Sequence, residues 1–154
     1  MGFASAWLKD RALFPLLINE TPSADTGIIV VVPSFDEPEI TGLLNSLALC
    51  LEPPCWVEVI IIVNAPAGAS EKSLNNNNTS ILSSETWKKE HPECLFDLHI
   101  IDGSLLWPSG WSVGLARKTG MDEAVRRFDM INKPDGIILN LDAGNAHVEL
   151  LSVS

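Results

Sequence analysis

Polar side chains follow four separate apolar runs of this sequence, at the point where each run ends. Carboxylate, amide and hydroxyl groups of this kind bind divalent cations, ribose hydroxyls and nucleobases. Taken singly, they more often cap helices or close turns. Their recurrence after four successive runs instead predicts one site, because the carboxyl ends of parallel strands meet at the edge of the sheet where ligands bind. The groups are Ser34, Asp36 and Glu37, then Asn64, then Asp102 and Ser104, and finally Asp142.

A second candidate for ligand chemistry is the glycine-rich segment 110–120. It reads Gly-Trp-Ser-Val-Gly-Leu-Ala-Arg-Lys-Thr-Gly, and it places Arg117 and Lys118 one turn into a predicted helix. Backbone N–H groups and cations at the start of a helix can bind phosphate. The alternative is that Gly114 and Gly120 allow close packing of the helix on a sheet while the two cations are solvated.

These groups require strands and helices that bring them together. The run 28–33 is continuous and apolar, which is typical of a strand buried on both faces, and the mostly apolar runs 57–63 and 136–141 predict two further buried strands. The run 95–101 alternates and predicts a strand nearer the edge. Helices are predicted over 37–51, 79–90 and 112–131, with the first ended by Pro53-Pro54 and with a mobile loop over 65–78. Strands alternating with helices predict an α/β fold, a three-layer Rossmann-like parallel sheet with helices on both faces.

The chain before this pattern is interpreted as an N-terminal extension, residues 1–26, followed by an α/β domain over 27–154. Residues 3–18 are predicted to form an amphipathic helix that packs on the domain rather than on a membrane. The sequence has no apolar stretch long enough for a transmembrane helix.

Charge and cysteine content narrow the classes of partner. The formal net charge of −10 disfavours nucleic acid as a partner, and a phosphate ligand would need a cation or N–H donors. Three cysteines without a close pair predict a reducing, cytoplasmic compartment. A zinc site is the alternative interpretation of the cysteines, but the spacing matches known zinc patterns poorly. Its ligands would be Cys50, Cys55, His91 and Cys94.

Four short motifs, in order along the chain, resemble family 2 glycosyltransferases, which have the GT-A fold. Residues 28–37 (IIVVVPSFDE) are similar to the opening strand of that family, and residues 59–64 (VIIIVN) to its second strand. Residues 114–120 (GLARKTG) and 139–144 (LNLDAG) are similar to its Gly-x-Ala-x-Ala-Arg segment and to the strand that ends in its metal-binding Asp-x-Asp motif. The resemblance extends from about Gly27 to Gly144.

The resemblance implies that the chain binds a nucleotide-diphospho-sugar, linked to UDP or GDP, for glycosyl transfer. It also implies a Mg²⁺ or Mn²⁺ ion that stabilises the departing nucleoside diphosphate. The residues carried over are Pro33, Phe35 and Glu37 beside the base and ribose, Asn64 at the base or ribose, Arg117 near the diphosphate, and Asp142 at the ribose or the metal.

The sequence departs from the family pattern in three places. Asp36 replaces an asparagine, and Gly144 replaces the second carboxylate of Asp-x-Asp, which leaves Asp142 as a single metal ligand. The family's second half, which supplies the acceptor site and the catalytic base, has no counterpart here. We therefore expect an incomplete, truncated GT-A domain that is inactive alone and has unknown catalytic residues. We also expect an apolar patch near residues 135–154 that favours self-association.

Two other functions remain open on the same scaffold. One is a non-catalytic module that binds a nucleotide or nucleotide sugar. The other is a protein-interaction module that binds no ligand, with Trp107 and Trp111 as partner anchors. A local hydrophobic plug is the alternative role for these tryptophans.

Overall fold

The computed structural model describes residues 2–50, 55–107 and 109–144. The predicted helix end at Pro53-Pro54 and the tail 145–154 lie outside these ranges. The elements are α1 (Ser5–Arg11), β1 (Thr26–Ser34), α2 (Ile40–Cys50), β2 (Trp56–Val63), α3 (Glu71–Glu90), β3 (Phe96–Asp102), a 3-10 turn (Gly103–Leu105), α4 (Val113–Met130) and β4 (Ile137–Asn140).

The sheet confirms the predicted fold class. Four parallel strands lie in the order β3-β2-β1-β4, with helices on both faces. β3 is an edge strand, as its alternating pattern indicated. The prediction of a buried strand over 136–141 is wrong in its degree of burial. Within the described ranges β4 has β1 as its one neighbour, and Ile137 is 37% exposed.

Alternate residues of the central strands build two separate cores, one on each face of the sheet. Val30 and Val32 pack with α2 and α3, whereas Ile29 and Val31 pack with α4. The second core is tight at Gly120, because a Cβ atom there would collide with the side chain of Val31. Gly120 therefore serves helix–sheet packing, which is the simpler of the two roles considered for it.

Helix α3 differs most from its prediction. It begins at Glu71 rather than at residue 79, and the Ser73 N–H donates to the N-cap Ser70 Oγ at 3.1 Å. The four asparagines, Asn75 to Asn78, were predicted to lie in a mobile loop but form the second turn of this helix. The buried face of the helix is mostly polar, so its first two turns have no apolar stripe that predicts a helix. That face consists of Asn77, Ser80, Ser84 and Trp87.

The N-terminal segment, residues 2–20, forms a strap over α4. Its helix α1 is shorter than the predicted 3–18, and residues 12–20 have no regular secondary structure. Charged side chains of α4 form hydrogen bonds directly with the strap backbone. These bonds satisfy backbone N–H and C=O groups that have no partner in regular secondary structure. Asp129 accepts from Ala4 N–H (2.6 Å) and Glu123 from Leu17 N–H (3.2 Å); Lys118 donates to Arg11 O (3.1 Å), Arg126 to Phe14 O (2.8 Å) and Arg127 to Glu20 O (2.8 Å).

Lys118 is thus half-exposed, but its ammonium group is already bound within the protein and is not free for phosphate. It pairs with Asp122 at 3.1 Å as well as with the strap, and its Nζ lies 5.5 Å from the centre of the Trp7 ring. Among the described residues, no helix combines the length and the apolar character needed to cross a bilayer.

Beneath the strap lies a buried ionic group, the Glu58 cluster, formed by Glu58, Arg127, His99 and Thr26. Arg127 Nε donates to Glu58 Oε1, and Thr26 Oγ1 donates to Oε2 at 3.3 Å. His99 Nε2 lies 3.3 Å from Oε1 but lacks hydrogen-bond geometry. Burial raises the pKa of Glu58, but His99 and Arg127 together outweigh burial and leave the pKa below its ordinary value.

Candidate functional site

The sheet has a topological switch point between β1 and β4. Successive connections run from β1 to β2 to β3, and the next connection returns past them to β4 on the other side of β1. In open α/β sheets, ligands bind in the crevice outside the carboxyl ends of the strands at such a point. Here the crevice is bordered by residues 34–37 after β1 and residues 142–144 after β4. We call this region the carboxyl-edge site.

Two carboxylates meet in the carboxyl-edge site. A Cβ atom built on Gly144 would lie 3.2 Å from Glu37 Oε1 and 3.5 Å from Asp142 Oδ1, so both side chains flank the same stretch of backbone. The Gly144 N–H donates to Asp142 Oδ1 at 3.0 Å. Partial burial raises the pKa of Glu37, and the charges of Asp142 and Asp36 raise it further. The site therefore concentrates negative charge, and no described Lys or Arg side chain forms an ion pair with Glu37 or Asp142.

This pair of carboxylates fits a Mg²⁺ or Mn²⁺ ion that also binds phosphate. Among the described residues, no three His, Cys, Asp or Glu side chains come together as a metal cage. Mg²⁺ does not need such a cage, because proteins commonly hold it through one or two carboxylates together with substrate phosphates. Glu37 thus places a second carboxylate near Asp142, where the sequence alone left Asp142 as a single carboxylate.

Two asparagines of the segment predicted to be a loop bind the tips of β1 and β2: Asn77 bridges the two tips, and Asn76 binds the β1 tip. Asp36 has a left-handed backbone (φ 57°), and its N–H donates to Asn77 Oδ1 at 2.9 Å. Asn76 Nδ2 donates to Asp36 Oδ1 at 2.6 Å, and Asn77 Nδ2 donates to Asn64 O at 3.0 Å. The signal that could have revealed them is the Ser70 N-cap, which starts α3 early enough to include both.

Asn64 is held in one orientation at the end of β2. Its Nδ2 donates to Ser34 O and to Ile62 O, each at 3.1 Å. In the flipped orientation the amide oxygen would face both carbonyl oxygens, and neither hydrogen bond could form. Its Oδ1 is therefore left as an acceptor, with no hydrogen-bond partner among the described residues. An aspartate, which the glycosyltransferase resemblance would place here, could not donate to the two carbonyls.

A cavity of about 420 Å³ opens beside Asn64 at the ends of β2 and β3. This volume lies in the range of small-molecule sites. Trp111 forms a buried wall, since its Nε1 donates to Gly103 O at 3.0 Å and its ring packs on Phe14 of the strap, with centroids 5.9 Å apart. Trp111 is thus a structural plug, whereas Trp107 lines the same cavity and is 46% exposed.

The structure brings some of the sequence-derived site residues together and leaves others apart. Glu37 and Asp142 meet, and Asn64 is linked to the β1 tip through Ser34. Pro33 and Phe35 are half-buried at the end of β1 and do not line the cavity. Arg117 is exposed on α4 and forms no ion pair or hydrogen bond with any described residue.

The described part of the alternative zinc site does not assemble. Cys94 Sγ donates to Phe96 O at 3.1 Å, and the His91 ring stacks on Trp87 with centroids 4.2 Å apart. Cys55 and Cys94 are free thiols, and the side chain of Cys50 lies outside the described part of the chain.

Together these features define a three-layer, Rossmann-like α/β protein with an acidic crevice at its switch point and a cavity beside it. Comparison with models of known protein families, with curated proteins and with solved structures finds no match to this chain. The likeness to family 2 glycosyltransferases therefore rests on the four sequence motifs alone.

Proposed function

We propose that this chain binds a nucleotide-diphospho-sugar at the carboxyl edge of its sheet, as the donor-binding domain of a glycosyltransferase of family 2 type. The observation that supports the proposal best is the meeting of Glu37 and Asp142 at the switch point, next to the cavity beside Asn64. A site with two phosphates and two carboxylates needs a divalent cation, and the motif order along the chain agrees with this ligand class.

Each part of the ligand has a chemically matched region. The base belongs in the cavity, where Asn64 offers a fixed acceptor. Pro33 and Phe35 border the ribose. Glu37 and Asp142 would hold Mg²⁺ or Mn²⁺, which supplies positive charge for the diphosphate leaving group.

Arg117 is the protein's own candidate for binding the diphosphate, since it is exposed and has no partner among the described residues. The resemblance extends the proposal to glycosyl transfer, for which no residue is assigned to acceptor activation.

Isothermal titration with UDP, GDP and their sugars, with and without Mn²⁺, tests the proposal. We expect one nucleotide to bind only when Mn²⁺ is present and binding to be lost in Asp142→Ala and in Glu37→Gln. Asp135→Ala is the matched control, because Asp135 is an exposed carboxylate at the opposite end of β4. Absence of nucleotide binding with metal present, or unchanged binding in Asp142→Ala, would contradict the proposal.

A protein-interaction module is the second candidate function, and one surface favours it. Four large apolar side chains of the strap are 42–48% exposed: Phe3, Trp7, Leu13 and Leu16. Exposed apolar patches commonly mark interaction sites. If this surface mediates self-association, sedimentation should show a concentration-dependent dimer that Leu13→Ser/Leu16→Ser abolishes. A monomer at all concentrations would argue against self-association.

A further inference from the structure

The residue before Glu37 has an unusual backbone conformation. Asp36 has φ 57°, in the left-handed region, which aspartate tolerates better than most residues but which only glycine adopts without cost. Asn132 is the other non-glycine residue with positive φ in the described ranges, and it follows helix α4, where this conformation commonly ends a helix. Asp36 follows a strand instead. Left-handed residues of this kind persist where neighbouring groups hold them, and they are frequent at binding sites.

Two side chains of α3 hold Asp36 in this conformation. Asn77 Oδ1 accepts from the Asp36 N–H at 2.9 Å, and Asn76 Nδ2 donates to Asp36 Oδ1 at 2.6 Å. Asn77 is 7% exposed, and its Nδ2 donates to Asn64 O at 3.0 Å. A flipped Asn77 amide would lose both of its hydrogen bonds, so its orientation is fixed. The side chain of Asn77 is therefore a buried link between the end of β2 and the backbone of Asp36.

The conformation of Asp36 determines where Glu37 lies. Glu37 precedes Pro38, and a proline restricts the residue before it to extended conformations. The torsion angles of Asp36 are therefore the main remaining variable in the path of the chain at Glu37. With the observed angles, Glu37 Oε1 lies 3.2 Å from the position of a Cβ atom at Gly144, and Asp142 Oδ1 lies 3.5 Å from the same position.

We infer that Asn77 is a positioning residue for a divalent cation, because it fixes the backbone of Asp36 and thereby holds Glu37 in place. Asn76 assists through the Asp36 side chain. The inference rests on the proposed function, in which Glu37 and Asp142 bind Mg²⁺ or Mn²⁺. The charges of these two carboxylates repel each other in the ion-free protein, so Glu37 would move away from Asp142 if Asp36 were released. Groups that hold metal ligands in position typically contribute about 10- to 100-fold to metal affinity.

The test is the affinity of the full chain for Mn²⁺ alone, measured by electron paramagnetic resonance, which detects the free ion. We expect Asn77→Ala to weaken Mn²⁺ binding at least about tenfold, and Asn76→Ala to weaken it less, since Asn76 binds only the side chain of Asp36. Asn75→Ala is the matched control and should leave the affinity unchanged, because Asn75 is exposed in the same turn of α3. Circular dichroism of each variant shows whether it is folded.

Two substitutions at Asp36 separate its backbone conformation from its side chain. Asp36→Gly and Asp36→Ala both remove the carboxylate and its hydrogen bond with Asn76, but glycine adopts a φ of 57° without cost, whereas alanine does not. Alanine would relax in the ion-free protein and would have to return to the left-handed region when the ion binds. We expect Asp36→Gly to bind Mn²⁺ at least about fivefold more tightly than Asp36→Ala.

The outcomes distinguish the positioning role from the proposed function. If Mn²⁺ binds the parent chain and Asp142→Ala abolishes that binding, an unchanged affinity in Asn77→Ala would overturn the positioning role and leave the proposed function intact. Equal affinities of Asp36→Gly and Asp36→Ala would also overturn it, and this comparison decides the matter if Asn77→Ala does not fold. Failure of the parent chain to bind Mn²⁺, with or without UDP or GDP, would overturn the proposed function and the positioning role together.

Discussion

The Glu58 cluster and the carboxyl-edge site are both acidic, yet their charges are arranged in opposite ways. In the Glu58 cluster a fully buried carboxylate has a guanidinium, a hydroxyl and an imidazole around it. In the carboxyl-edge site two carboxylates flank Gly144, and no Lys or Arg of the described ranges pairs with them. Accordingly, the pKa of Glu58 is lowered despite burial, whereas the pKa of Glu37 is raised.

The charges of the Glu58 cluster stabilise the fold, whereas those of the carboxyl-edge site are available to a ligand. The buried ion pair of Glu58 and Arg127 has its partners within the protein and requires no ligand. It also connects β2, α4 and the strap. Carboxylates that repel each other at a strand-end crevice reduce stability slightly, and they gain a favourable partner only when a cation binds. Such residues are typical of functional sites, where stability and function oppose each other.

The largest expected effect comes from breaking the Glu58 cluster. Arg127→Met should lower the free energy of unfolding by about 3–5 kcal/mol, because it leaves Glu58 as a buried charge without its guanidinium. Urea denaturation at neutral pH measures the loss. The double variant Glu58→Leu/Arg127→Met should recover much of it, since neither charge is then buried alone. A double variant less stable than Arg127→Met would contradict this account, because it would show that Glu58 without Arg127 does not destabilise the fold.

The next effect concerns the amide at the end of β2. Asn64→Asp should lower the free energy of unfolding by about 1–3 kcal/mol, because a carboxylate would face the Ser34 and Ile62 carbonyl oxygens that the amide now satisfies. Thermal and urea denaturation would detect it. Asn78→Asp is the matched control on the exposed side of α3 and should change stability by less than about 0.5 kcal/mol. Equal effects of the two substitutions would contradict the role given to the Asn64 amide.

Two buried glutamates on the α4 side of the sheet, Glu123 and Glu58, should contribute to stability with opposite dependences on pH. Burial raises the pKa of Glu123, and Arg126 with the N–H groups of Leu17 and Ile18 offsets this only in part. The native state therefore binds this proton more tightly than the unfolded state does. The Glu123 contribution to stability is present below the unfolded pKa, near 4.5, and is lost as the pH rises through the raised native value.

The Glu58 contribution has the opposite sign. It is present above pH 4.5 and is lost as the pH falls through the lowered native pKa. Stability measured from pH 3 to 8 should thus show a Glu123 component only above about 4.5, removed in Glu123→Gln, and a Glu58 component only below it. If Glu123→Gln altered only the acid limb below pH 4.5, the assigned direction for Glu123 would be wrong.

The smallest expected effect lies in the carboxyl-edge site. Asp142→Asn should raise the stability of the ligand-free protein by a few tenths of a kcal/mol, about the size of a repulsive pair near the surface. The same substitution should abolish Mn²⁺-dependent nucleotide binding. Denaturation and calorimetry on one preparation measure both. A loss of stability in Asp142→Asn would contradict the claim that the carboxylates of the carboxyl-edge site destabilise the ligand-free protein.

Regular apolar patterns predicted most of this fold. The runs 28–33 and 57–63, alternating with helical stripes such as that of α4, predicted a parallel α/β sheet, because strands with little polar alternation are typical of parallel sheets covered by helices on both faces. The start of α3 was not predicted because the buried side chains there are small and polar. Asn77 is buried because α3 packs against α2 and the sheet, and not because its own side chain is hydrophobic. The strap was mistaken for a longer amphipathic helix because its backbone is satisfied by side chains of α4, which lies far away in the sequence.

The sequence by itself determined the class of fold and the presence of polar groups at each strand end, because both depend on local periodicity and on residues next to one another in the chain. Only the tertiary structure decided which of those groups meet. The order β3-β2-β1-β4 places Glu37 beside Asp142 and pairs the end of β2 with Asp102, and it sets Arg127 against Glu58 on the other face. Strand order depends on how helices and strands pack together, and the spacing of residues along a single strand does not determine that packing.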